Sequence, residues 1–283
     1  MPYGLERRLA GRWIAGPGMD DALLRAREIN RRRISVMINY LGEDFARKAD
    51  VQDAVDTYLI LMDRMARTRM DGDISVKPTQ LGLGLGYGLM RENYIKIMER
   101  ARISGIFVWL DMEEPRYVNA TIRMYLEVGR HVRGGICIQS YLKRSLEDVK
   151  AITRKGGIVR LVKGAYTYKE ESGMIKGRSG INANYREIMD YLFDHSPRFA
   201  IATHDMEIVR EALALNRRKK RNVTYAMLNG INNRAAKELA AKGEKVSLYL
   251  PFGTRWVGYS YRRLREIGHI RLILGSLFVS QKL

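Results

Sequence analysis

Eight short apolar runs recur along the chain, at 34–43, 73–82, 105–113, 135–142, 158–166, 198–205, 222–230 and 245–253. Each is followed by a longer stretch whose apolar residues fall at three- and four-residue spacing, the mark of an amphipathic helix. ADVQDAVDTYLILMDRMARTRM (49–70) and EIVREALALNRRKK (207–220) are examples. Eight strand-then-helix units predict a (β/α)8 barrel of the TIM type, because a doubly wound sheet rarely extends so far with such regular spacing. Residues 1–33 read as a helical extension packed outside, residues 34–283 as the barrel, and the stretch from about Gly258 as a final helix. SLEDVKAITRKGG (145–157) is expected to open on Ser145 as a helix cap and to stop at its glycines.

The chain has 283 residues, 46% of them hydrophobic, enough for a core in one large domain. Cys137 is its single cysteine, which excludes an intramolecular disulfide and a cysteine-rich metal site and fits a reducing cytoplasm. The start MPYGLERRLAGRW lacks the apolar centre of a secretory leader, and Leu272 to Val279 is too short to span a bilayer. A soluble or peripheral protein is expected. The formal charge of +19 attracts polyanions, and docking on the anionic inner face of the cell membrane is its expected use. The clusters Arg31–Arg33 and Arg217–Arg221 read equally well as binding patches or as solvated helix ends. A basic nucleic-acid-binding protein fits less well, because 31 acids are interspersed among the 50 bases.

The chemistry is expected at the carboxyl ends of the strands, where such barrels place their sites. Those ends hold Lys77, Asp111, Gln139, Arg160 with Lys163, Thr203 with His204, and Tyr249. In RLVKGAY (160–166), Arg160 and Lys163 would offset a ligand's negative charge, while Gly164 and Ala165 would let it approach the backbone. Tyr259, Arg262 and Arg263 share one face of the expected last helix, and adjacent arginines suit a carboxylate. The four histidines are scattered and no metal spacing or GxSxG elbow occurs. LGLGLGYG (81–88) misses the dinucleotide fingerprint and reads as a flexible loop at the mouth.

Taken in order, SVKPTQLG, FVWLDME, CIQSYLKR, RLVKGAY, ATHD, and YLPFG followed by YSYRR resemble the motifs of the proline dehydrogenase family. The resemblance runs from about residue 34 to the end. It implies an FAD-dependent barrel that oxidises L-proline to 1-pyrroline-5-carboxylate, passes the electrons to a quinone-type acceptor, and carries its last helix over the mouth. It implies that Lys77, Arg262 and Arg263 bind the proline carboxylate and that Tyr249 and Tyr259 wall the ring. Asp111 would order the site and Arg160 would approach the reactive edge of the flavin. Met112, Gln139, Lys163, Gly164, Ala165, Tyr166, Thr203 and His204, with Arg160, would hold FAD. Where the family usually has a glutamate, a glutamine and an aromatic, this chain has Thr224, Ala226 and Asn229, so hydroxyproline or another cyclic imino acid is an alternative substrate. A methylenetetrahydrofolate reductase-like reaction is a further alternative, against which the paired arginines argue. Trp109 is large for a barrel strand and points either inward, displacing other packing, or outward under a helix.

Overall fold

The computed structural model describes residues 13–131, 133–164 and 173–256. Ala165, Tyr166, Tyr259, Arg262, Arg263 and the expected final helix lie outside the described residues. Within them, eight strands close a barrel in chain order: β1 (Ser35–Tyr40), β2 (Gly72–Val76), β3 (Val108–Leu110), β4 (Gly134–Gln139), β5 (Val159–Val162), β6 (Arg198–Ala202), β7 (Asn222–Leu228) and β8 (Lys245–Phe252). Every neighbouring pair is parallel, including β8 with β1. The helices are α1 (Met19–Asn30), α2 (Lys48–Arg67), α3 (Tyr87–Ser104), α4 (Val118–Glu127), α5 (Ser145–Arg154), α6 (Arg178–His195), α7 (Met206–Lys219) and α8 (Asn233–Ala241).

Strand side chains alternate between the helix layer and the barrel interior. Val36, Ile38, Ile74, Val76, Val108, Leu110, Ile136 and Ile138 face outward into one continuous apolar core with the helices. The intervening residues face inward, and there Met37, Phe107, Trp109 and Ala200 form a separate apolar layer. That layer plugs the barrel below a polar upper half, so the interior is a packed floor under a site.

Trp109 therefore points inward. Room for it comes from β4: a Cβ on Gly135 would lie 2.5 Å from Cζ3 of the indole. The indole Nε1 donates to Asp73 Oδ2 at 2.9 Å, which satisfies its one polar atom. α1 packs against both β1 and β8, burying Ala22, Leu23, Ala26 and Ile29 in the main core. Before it, Ala15 N–H donates to Pro251 O at 2.8 Å, and Trp13 and Ile14 pack with Leu41 and Ile231 beside Tyr249.

Two local expectations differ from the structure. Ser145 is the first residue of α5, and Arg144 occupies the cap position without a capping side chain. The Ser145 hydroxyl donates instead to the Gln139 carbonyl at 2.5 Å, tying α5 to the end of β4. The glycine-rich stretch after β2 is a packed run of turns, with Leu81 fully buried and Leu83 N–H donating to Pro78 O at 3.0 Å. Arg31–Arg33 and Arg217–Lys220 fall at the carboxyl ends of α1 and α7, where cations oppose the helix dipole.

Candidate active site

Four strands bring one charged cluster together at the mouth. Lys77 follows β2, Asp111 follows β3, Arg160 lies on β5 and Tyr249 on β8. Lys77 Nζ is 3.5 Å from Asp111 Oδ2, 3.4 Å from Tyr249 OH and 3.4 Å from Asn39 Oδ1. Tyr249 OH donates to Asp111 Oδ2 at 3.2 Å, and Ser75 Oγ donates to Asp111 Oδ1 at 2.5 Å. Arg160 also donates to Asp111 Oδ1. Its guanidinium reaches Cys137 Sγ at 2.8 Å and the Met37 sulfur, and lies 5.2 Å from the Trp109 ring centroid and 5.9 Å from that of Tyr249. Arg160 sits one layer below the rim, inside the barrel and only 4% exposed.

Burial raises the Asp111 carboxyl, but Arg160 and Lys77 more than offset it, and the group stays below its ordinary range. Burial works against the Arg160 charge, but the hydrogen bond to the Cys137 sulfur and the Asp111 carboxylate outweigh it and hold the guanidinium ionised. The Cys137 thiol is pushed up to about 11 by burial, so it is a neutral acceptor at neutral pH. Two buried cations therefore face one carboxylate.

The remaining expected residues line the adjoining rim. Gln139 Nε2 donates to the carbonyls of Met112 at 3.1 Å and Glu113 at 3.3 Å. Its Oε1 is buried without a hydrogen-bond partner among the described residues. Met112 offers only that carbonyl, since its side chain belongs to the apolar core. Lys163 Nζ pairs with Asp205 Oδ2 at 2.8 Å. Thr203 Oγ1 accepts the Asp205 N–H at 3.1 Å, and His204 Nε2 accepts the Leu228 N–H at 3.1 Å, joining the ends of β6 and β7.

Gly164 has φ of 111°, and a Cβ there would fall 1.6 Å from Cδ1 of Tyr141. The close neighbour that requires this glycine is thus the tyrosine ring. Thr224 and Ala226 lie in the stretch of β7 paired with Ala200 and Ala202, and Asn229 is buried just beyond the strand.

Several participants escape a reading of strand ends. Asn39 is buried on β1 and donates to Tyr58 OH at 3.0 Å and to Ser75 O at 2.8 Å. Glu113 accepts from the Thr79 amide at 2.8 Å and from the Thr79 hydroxyl at 2.7 Å. Asp205 caps α7 by accepting the Glu207 N–H at 3.2 Å, besides holding Lys163. Glu113 and Asp205 are the last letters of FVWLDME and ATHD, and Asn39 is a lone polar residue inside an apolar run. Those were the available signals.

The donor set suits a flavin nucleotide. Gln139 carries a spare buried acceptor beside fixed donors, Lys163 and Arg178 converge on Asp205 as cations for a pyrophosphate, and Arg160 is a cation inside the barrel. No group of His, Cys, Asp or Glu among the described residues could hold a metal ion.

The comparisons with known proteins agree with this geometry. The family model described as proline dehydrogenase matches residues 22–270. Proline dehydrogenase 1 of Bacillus subtilis subsp. natto is 29% identical over 269 residues, covering 93% of this chain and 88% of that protein. A proline dehydrogenase of Deinococcus radiodurans is also 29% identical, covering 91% and 86%. The solved proline utilization A of Bdellovibrio bacteriovorus, inactivated by N-propargylglycine, superposes with a TM-score of 0.86 at 22% identity. The match covers 98% of this chain but only 34% of that longer one. With the fold, the polar mouth and a family match over most of its length, the chain is an oxidoreductase of the proline dehydrogenase family.

Proposed function

We propose that this chain oxidises L-proline to 1-pyrroline-5-carboxylate, with FAD as resident cofactor and a quinone-type compound as the final acceptor. The observation that carries the reading is the cluster of Lys77, Asp111, Tyr249 and Arg160 at the mouth. Lys77 meets the substrate carboxylate together with Arg262 and Arg263. Asp111 and Tyr249 hold the lysine ammonium in place, so its orientation is set before substrate arrives. Tyr249 also presents its ring as a wall, and Tyr259 is assigned the matching role.

Gln139, Lys163, Thr203, His204, Gly164, Ala165 and Tyr166, with the Met112 backbone, hold the FAD. When bound, FAD supplies the two-electron acceptor for the hydride on the carbon beside the ring nitrogen. Arg160 is fixed beneath the mouth as a permanent positive charge that favours electron-rich groups above it. Asp111 stays ionised and paired, so its part is to orient Lys77 and Arg160; it is not assigned a proton-transfer role. The small side chains of Ala202 and Ala226 favour a second reading, in which a substituted proline such as hydroxyproline is also accepted.

A visible spectrum before and after anaerobic L-proline tests the reading. Oxidised flavin bands that bleach with proline support it. Bands that persist with proline but bleach with hydroxyproline move the substrate. A colourless protein that takes up no FAD refutes it.

A further inference from the structure

The wall of the barrel is parted beside Lys77. Pairing of β1 with β2 stops at Ile38 and Ile74, whereas β1 stays paired with β8 as far as Tyr40. Val36 N–H donates to Asp71 O at 3.2 Å. Bonds of a parallel ladder are evenly spaced, so the one due four residues later joins Tyr40 N–H to Ser75 O. A hydroxyl from the helix layer takes its place. Tyr58 of α2 is fully buried. Its OH accepts the Tyr40 N–H at 3.1 Å and lies 2.9 Å from Ser75 O. Burial pushes the phenol far above its ordinary range, so this wedge between the strands stays a neutral hydroxyl.

The wedge orients two amides toward Lys77. Asn39 Nδ2 donates to Tyr58 OH at 3.0 Å and to Ser75 O at 2.8 Å. Those two acceptors take both amide protons, which turns Oδ1 to Lys77 Nζ, 3.4 Å away. Gln80 Nε2 donates to Tyr40 O at 2.6 Å, and its Oε1 stands 3.0 Å from Tyr58 OH and accepts the Lys77 N–H at 3.3 Å. Both ends of Lys77 therefore depend on one phenol. The ammonium lies 3.4 Å from Asn39 Oδ1, 3.4 Å from Tyr249 OH and 3.5 Å from Asp111 Oδ2. Tight hydrogen bonds to oxygen span about 2.7–3.2 Å. The charge is centred among these three oxygens without closing on any of them, which suits a cation that must turn to an incoming carboxylate.

We propose that Tyr58 and Asn39 are positioning residues for carboxylate recognition: the phenol parts β1 from β2 and, through the Asn39 and Gln80 amides, sets where the Lys77 ammonium stands. This rests on the assignment of Lys77 to the substrate carboxylate.

The probe is cyclopentanecarboxylate, which has the ring and carboxylate of proline but no nitrogen to oxidise. Titration calorimetry gives its dissociation constant for the full chain, Tyr58→Phe, Asn39→Ala and the double variant, beside proline KM, kcat, FAD content and thermal midpoint. Each single variant is expected to weaken the probe and raise KM about five- to twentyfold, while kcat falls no more than about threefold. The double variant is expected to lose less than the product of the single losses, because Tyr58 acts partly through Asn39. Probe affinity within about twofold of the parent in either folded single variant would overturn the proposal. So would multiplicative losses, or a fall in kcat at unchanged KM. If Tyr58→Phe fails to fold, Asn39→Ala decides by the same probe criterion. A parent that neither binds the probe nor bleaches with proline refutes the carboxylate assignment and this inference with it. A parent that does both, with variants that bind as it does, refutes this inference alone.

Discussion

Glu113 shows how one residue can tie stability to pH without touching substrate. It is 3% exposed, its carboxylate is shared between the Thr79 amide and hydroxyl, and burial pushes its pKa up to about 7. The sign follows from linkage. The folded state holds this proton more tightly than the unfolded chain, whose value is 4.5. The favourable contribution is complete below about 4.5 and is lost as the pH rises through about 7. A shift of that size amounts to roughly 3 kcal/mol. Glu113→Gln removes the titration while keeping a polar partner for Thr79. Urea midpoints of parent and variant at pH 5 and pH 8 should therefore diverge, with the parent losing more stability on the way up. Parallel pH profiles would mean that Glu113 titrates like a solvated carboxyl.

Between elements, the contact that matters most is the one across β3 and β4. Trp109 fits because Gly135 has no side chain, and Arg160 lies over the indole it leaves in place. Gly135→Ala should cost about 1–3 kcal/mol by overpacking. In a Trp109→Phe background the same change should cost less, giving a coupling of at least about 0.5 kcal/mol in a double-mutant cycle. Additive effects in denaturation midpoints would show that the two positions do not share space. This contact also marks a limit of sequence reading. The outward half of each strand was legible, because alternate apolar residues under a helix layer leave a periodic trace. The direction of Trp109 was not, since it depends on a glycine 26 positions away on the neighbouring strand. Gly164 is similar: the letters announce a small residue, but only the packing reveals that Tyr141 is the reason. Ser145 has the composition of a cap, yet a buried carbonyl at the end of β4 draws its hydroxyl away.

Over the whole molecule, the parallel closure turns a list of strand-end residues into a polar mouth. The order of strands and helices was enough to place that mouth. It was not enough to place Arg160, which the motif puts near a strand end and the register puts within the barrel beside Met37 and Cys137. That position has a consequence for the fold as a unit. Arg160 and Lys77 are both buried against the ionised Asp111, so the charged centre of the barrel exists only in the folded state, and a ligand that binds there binds only that state. Such a ligand stabilises by mass action. FAD added to flavin-free protein at a hundredfold excess over its dissociation constant should contribute about 2.7 kcal/mol, raising the thermal midpoint by roughly 4–5 °C for a chain of this size. Riboflavin, which has no pyrophosphate for Lys163 and Arg178, should do less. Inorganic pyrophosphate alone should do less again, because it leaves the interior cations uncovered. Differential scanning calorimetry with the three ligands separates these cases. If pyrophosphate alone reproduces the full FAD shift, the rim cations carry the binding and Arg160 is satisfied by Asp111 and its sulfur neighbours without a flavin above it.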